Sequence, residues 1–213
     1  MTLRHALTFF LFLTLSGPVT ALGAEGAPPL FGTKEKESTN MKMFNKWVEA
    51  VQRANEEKGK TPGSCQEKTM NSCHYNTWIE FIKSAKNKKP MEKITDTNNF
   101  LNKAPYITDQ TNWSLEDYWA SPVQFLTKNG DCEDYAIAKY FTLKELGIPT
   151  ESLRVVAVND LNLKVGHSIL AVYTEGRILI LDNQIKQVVD ASTIKHYEPI
   201  YSINEQAWWR HSK

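Results

Sequence analysis

Apolar positions along the chain change their period once, near Pro149, dividing it into a helical part and a later sheet part. Phe44, Trp47, Val48 and Val51 recur at the three- and four-residue spacing of a helix face, and Gly59 ends that segment. Trp78, Phe81, Ile82 and Ala85 mark a second amphipathic helix. Lys83, Lys86, Lys88 and Lys89 lie on its solvated side, and Pro90 stops it. A short third helix is predicted over 91–101. Ser121-Pro122 reads as another helix start, since proline at the first helical position loses no hydrogen bond. Lys128-Asn129-Gly130 then makes a turn and Asp131 caps the next helix. Its apolar face is Ala136, Ile137, Tyr140, Phe141 and Leu143, and Gly147 ends it.

Beyond Pro149 the runs 153–158, 168–173, 177–181 and 187–189 are rich in β-branched and apolar residues and separated by turn residues, with a last strand at 199–203. Glu175-Gly176 is a tight connection, so the second and third runs should pair antiparallel. Helices first and strands afterwards predict an α+β fold, with the helix that begins at Cys132 packed on an antiparallel sheet. Length is compatible with one domain over 40–213, helical through 40–149 and sheet through 150–205. Residues 25–39, rich in Gly, Pro and charge, read as a flexible mature N-terminus.

The first 24 residues stand apart. Arg4 and His5 precede an apolar run that Gly17 and Pro18 break, and small residues follow at Ala21, Gly23 and Ala24. That order reads as a secretory signal peptide over 1–24. The alternatives are an uncleaved anchor and a buried helix, but the run is shorter than the roughly 20 residues a spanning helix needs. No other stretch is long enough to cross a membrane. The expectation is therefore an exported protein with no stable membrane insertion after signal cleavage. With 25 basic and 24 acidic residues, the chain has a formal net charge of +1, which gives no reason to expect nucleic acid or a polybasic membrane patch.

Export changes how three cysteines are read, because thiols tend to pair in an oxidising compartment. Cys65 and Cys73 are close together in a Gly/Ser/Asn-rich stretch and form the natural disulfide, which leaves Cys132 free. A zinc site on Cys65, Cys73 and His74 is the rival, weakened by the lack of C-x-x-C spacing. Cys132 opens a helix, where unpaired N–H groups and the helix dipole favour the nucleophilic thiolate. His167 opens one strand and Asp182 ends its hairpin neighbour, so the two can meet. Thiol, imidazole and an orienting acid are what nucleophilic catalysis requires. A buried structural cysteine, a satisfied core histidine and a turn aspartate fit the same spacing equally well.

Three segments carry a resemblance: Gly130-Asp131-Cys132-Glu133-Asp134-Tyr135-Ala136-Ile137-Ala138-Lys139, Gly166-His167-Ser168-Ile169-Leu170 and Leu181-Asp182-Asn183. Together they resemble the bacterial transglutaminase-like cysteine proteinases, most of all the LapG-type periplasmic adhesin-processing proteases. Tyr118-Trp119-Ala120-Ser121-Pro122 is similar to what precedes the nucleophile in that group, and the likeness is specific over 113–183. It implies a papain/transglutaminase-like core and a cysteine endopeptidase with Cys132 as nucleophile, His167 as base and Asp182 orienting that base. The oxyanion hole would be the Cys132 N–H plus a donor from the 113–119 loop. It also implies a periplasmic location, a large adhesin cut in its N-terminal region, and an inner-membrane cyclic-dinucleotide receptor as partner.

Asp131, Glu133 and Asp134 crowd a cysteine that must ionise, and like charges oppose that. A hard cation would offset them. The resemblance implies Ca²⁺, held by Asp131 and Glu133; Asp117 or carbonyls of the Trp-rich loop would complete the shell. Acids at a helix N-terminus are also favourable to the dipole without any metal. Two other functions fit the same residues: acyl transfer to an amine, as in a transglutaminase or amidase, and a non-catalytic calcium-binding interaction module.

Overall fold

The computed structural model describes residues 28–59 and 72–213. The expected signal peptide, and Cys65 of the proposed Cys65–Cys73 disulfide, fall outside the described residues. Helices come first: α1 (Asn45–Glu57), α2 (Ser72–Ala85), α3 (Pro90–Leu101), α4 (Asp109–Trp113), α5 (Pro122–Lys128) and α6 (Cys132–Glu145). Strands β2 (Leu153–Asp160), β3 (Val165–Thr174), β4 (Arg177–Leu181), β5 (Val189–Asp190), β6 (Tyr197–Ile203) and β7 (Trp208–Ser212) follow, while β1 (Lys34–Ser38) precedes them all. They form one antiparallel sheet in the order β1-β7-β6-β2-β3-β4-β5. The fold is therefore α+β.

Ser121 starts α5 as its sequence predicts. Its Oγ accepts from the Gln124 N–H at 3.2 Å, and Gln124 Oε1 accepts from the Ser121 N–H at 2.9 Å. The next helix, α6, is buried at every position from Asp134 to Leu143. Ala136, Ile137, Tyr140 and Leu143 pack on Val155, Leu170, Val172, Leu179 and Leu181 of the sheet. The reverse face of the sheet, with Val156, Val158, Ile169 and Ile180, is covered by Leu30, Ala191 and Ile194. Both faces being covered explains why β2 to β4 read as continuous apolar runs and not as alternation.

The N-terminal segment corrects one expectation. Residues 25–39 were expected to be flexible, yet Leu30 is wholly buried and β1 pairs with β7 through Lys34↔Ser212 to Ser38↔Trp208. Side chains hold it there. Arg154 Nη1 donates to Glu35 Oε2 at 2.7 Å, and Trp209 Nε1 donates to Glu37 Oε2 at 2.9 Å. Lys-Glu-Lys-Glu-Ser carries no apolar period, and its pairing partner lies about 170 positions away, so nothing local marks it as a strand. No helix among the described residues is long and apolar enough to cross a membrane.

Candidate active site

The β3–β4 hairpin pairs Leu170 with Leu181. Continued by one step, that register makes His167 and Asp182 diagonal neighbours on one face, close enough for long side chains to meet. They do: His167 Nε2 lies 2.9 Å from Asp182 Oδ1, and the residues are only 4% and 1% exposed. Tyr197 OH donates to Asp182 Oδ2 at 2.6 Å, and the Gln184 N–H donates to Oδ1 at 2.8 Å. Asn102 Nδ2, at the C-terminal cap of α3, donates to the Asp182 carbonyl at 2.7 Å, fixing the backbone as well. Burial alone would raise the Asp182 pKa, but the His167, Tyr197 and Gln184 hydrogen bonds outweigh it and hold the carboxyl below its ordinary range. An anionic acid is thus locked against one nitrogen of the imidazole.

The other ring nitrogen, Nδ1, has Gln184 Nε2 at 3.4 Å. Gln184 was not anticipated from the sequence. The hairpin register places it opposite His167, which no local pattern reveals.

Cys132 is the first residue of α6, is partly exposed, and is the free cysteine among the described residues. Its Sγ–H donates to Glu133 Oε2 at 3.1 Å. Burial, then the charges of Glu133 and Asp131, push the thiol pKa up, while the Ser168 N–H acts the other way. In this arrangement the thiol is engaged with the acid beside it, and its proton is held.

That acid belongs to a cluster. Oxygens of Asp109, Asp131 and Asp134 all lie within 4.8 Å of one another, and so do those of Asp109, Asp117 and Glu133. Asp109, from α4, is common to both sets and was missed as a site residue. It stands 22 positions before Asp131, and tertiary folding alone brings it in. Asp131, Glu133 and Asp117 all reach the cluster, although Asp117 is half exposed and ion-paired with Lys46.

Asp134 is fully committed to structure. Its Oδ1 accepts from the Ala120 N–H at 2.7 Å and its Oδ2 from the Asp131 N–H at 3.3 Å. Gly130 must lack a side chain, because a Cβ there would collide with the Asp134 carboxylate. Asp109 Oδ1 and Asp131 Oδ1, by contrast, are buried without a hydrogen-bond partner. Burial and the neighbouring acids push Asp109 up to about 6 and Glu133 up to about 8, and they also raise Asp131. Carboxylate oxygens that are close, buried and unpartnered are the donor set that a hard divalent cation takes. Arg53 over the Tyr118 ring at 4.8 Å and Lys128 over the Trp113 ring at 3.8 Å clip down the loop that carries Asp117.

The sequence profile of the bacterial transglutaminase-like cysteine proteinases matches residues 62–211. The chain belongs to this family. Three structures of Legionella pneumophila LapG resemble it, each at 32% identity over 86% of the LapG chain. The calcium-bound form covers 76% of this chain with a TM-score of 0.61, and the EGTA-treated form covers 78% with a TM-score of 0.61. A third LapG structure covers 76% with a TM-score of 0.60. No curated protein matches the chain. The protein is thus a transglutaminase-like cysteine protease, similar to LapG.

Proposed function

We propose that this cysteine protease is a calcium-dependent periplasmic endopeptidase that cuts the N-terminal region of a large cell-surface adhesin and releases it. Its triad is Cys132, His167 and Asp182. The observation that carries the reading is the place of Cys132: the N–H of Ser168, the residue after His167 of the buried His167–Asp182 pair, bonds to its sulfur, and its thiol donates to Glu133 of a cluster that includes partnerless acid oxygens. The signal-like first 24 residues support export, and the likeness to a calcium-bound LapG supports the choice of cation.

The residues divide the work. Asp182, anionic and triply hydrogen-bonded, engages Nε2 of the ring and leaves Nδ1 as the nitrogen that can take a proton. His167 takes the thiol proton as the sulfur attacks the peptide carbonyl, then gives it to the leaving amine; water releases the acyl-enzyme. The α6 N-terminus favours the thiolate electrostatically. Asp109, Asp131, Glu133 and Asp117 would hold the cation. When bound it would supply positive charge that offsets their repulsion of the thiolate. An inner-membrane cyclic-dinucleotide receptor is the proposed partner, on the family likeness.

The test is cleavage of an adhesin N-terminal fragment by wild type and Cys132→Ala, each in calcium and in EGTA. Cutting by wild type in calcium alone is the expected result. Cutting that persists in Cys132→Ala would remove the triad, and cutting that survives EGTA would remove the cation. Incorporation of a labelled amine in place of hydrolysis would mark the enzyme as an acyl transferase.

A further inference from the structure

The segment between α3 and α4 runs alongside the start of α6 and is tied to it before and after Cys132. Tyr106 forms a parallel β-bridge with Gly130, and the Ile107 N–H donates to the Gly130 carbonyl at 2.9 Å. The Asp109 N–H donates to Asp131 Oδ2 at 3.3 Å. Beyond the nucleophile, Tyr135 OH donates to the Ala104 carbonyl. The Tyr106 ring stacks on the Tyr135 ring, with centroids 6.5 Å apart and planes 14° from parallel.

These ties fix where the ring stands. Gly130 lies just before the cap of α6, and Tyr135 lies one turn after Cys132 on that helix. Residues three apart on a helix are surface neighbours, so a ring held at both places flanks the thiol. The phenol pKa agrees with that position: burial raises it first, and among the charges that raise it further the Cys132 thiolate comes foremost. The two tyrosines differ in exposure. Tyr135 is buried and packs edge-on against Phe125, whereas Tyr106 is 54% exposed.

A lone exposed aromatic on a protein surface needs no explanation, but this one is clamped by its backbone beside the nucleophile of a protease. Such an enzyme must lay a polypeptide across Cys132 and hold it in place while the sulfur attacks. Asp131 and Glu133, the sequence neighbours of Cys132, offer that chain no apolar surface. The Tyr106 ring does, and a tyrosine gives a large, rigid contact at little cost in side-chain entropy. We propose that Tyr106 is a substrate-binding residue, the wall against which an apolar side chain beside the scissile bond packs.

The test compares the rates at which iodoacetamide and N-benzyl iodoacetamide alkylate Cys132 in the full chain, read by mass spectrometry of the Cys132 peptide in calcium-containing buffer. Both reagents present the same reacting carbon, and the benzyl group adds a ring at the reach of a neighbouring residue's side chain. Their rate ratio on glutathione is the reference, so changes in thiol ionisation cancel. Wild type should prefer the benzyl reagent by about fivefold, the scale of one aromatic pair. Tyr106→Phe should keep that preference and Tyr106→Ala should lose it, with the iodoacetamide rate unchanged in both. Tyr106→Thr, which lacks the ring but suits a bridged backbone, serves if the alanine variant fails to fold. No preference in wild type, or one that survives in Tyr106→Ala or vanishes in Tyr106→Phe, would overturn the proposal. So would an equal fall in both rates in Tyr106→Ala, because the ring would then shape the thiol and not hold the substrate. The test needs only the Cys132 thiol, so its failure would leave the adhesin reading standing.

Discussion

His167 and Asp182 are buried, paired and hydrogen-bonded from three sides, whereas Cys132 is partly exposed and shares its proton with an acid. The base half of the site is finished by the fold: a hairpin register, a tyrosine and an asparagine hold it without help. The thiol half is left with more negative charge than its chemistry tolerates. The contrast teaches that folding and activation are separate here. On the proposed mechanism, the sheet sets the geometry of the base, and the acid cluster sets when the sulfur can ionise.

Breaking the finished half should have the largest effect. Asp182→Asn keeps the shape but removes the charge and favours the wrong tautomer, so peptidase activity should fall by about 10³- to 10⁴-fold in kcat. Stability offers a second reading of the same variant. Asp182 is held below its ordinary pKa, so the stability it contributes is present above about pH 4 and lost as pH falls through the folded-state value. The gap in stability between wild type and Asp182→Asn should therefore close in acid melts below about pH 4.

Changing the thiol half should have an intermediate effect and the opposite sign. Glu133 is pushed up to about 8, so between about pH 4.5 and 8 the folded protein binds more protons than the unfolded chain. Metal-free wild type should lose stability as pH rises through that window, by an amount on the order of a few kcal/mol. Glu133→Gln should flatten this slope in thermal melts. It should also weaken calcium binding measured by calorimetry. A slope that survives the substitution would place the burden on Asp131 or Asp109.

The smallest effect tests the clip between the halves. Arg53 stacks on Tyr118 and donates from Nη2 to the Trp119 carbonyl at 2.6 Å. Arg53→Ala should cost about 1 kcal/mol in stability and lower calcium affinity a few-fold, leaving the rate at saturating calcium unchanged.

Much of this was legible in the sequence because it is local. The Ser121 cap, the helix opening at Cys132 and the Glu175-Gly176 hairpin each have a short signature, and the hairpin alone brings His167 to Asp182. What was not legible depends on distant contacts. Asp109 joins the acids only when α4 folds against the start of α6. β1 is polar throughout and becomes a strand only because β7 offers an edge. The burial of α6 at every position from Asp134 to Leu143 was not legible either, since a sequence does not show that a helix is covered on all sides. The Gln184 contact follows from register, which the strand pattern left open.

The central claim is that the acids hold the Cys132 proton until a divalent cation offsets their charge. It is tested most directly by the second-order rate of Cys132 alkylation at pH 9, above the value of about 8 to which Glu133 is pushed, in EGTA and in calcium, for wild type and Glu133→Gln. The account predicts that calcium speeds the wild-type reaction by about 10-fold or more, and that Glu133→Gln reacts faster than wild type in EGTA and responds less to calcium. Identical wild-type rates with and without calcium would contradict it.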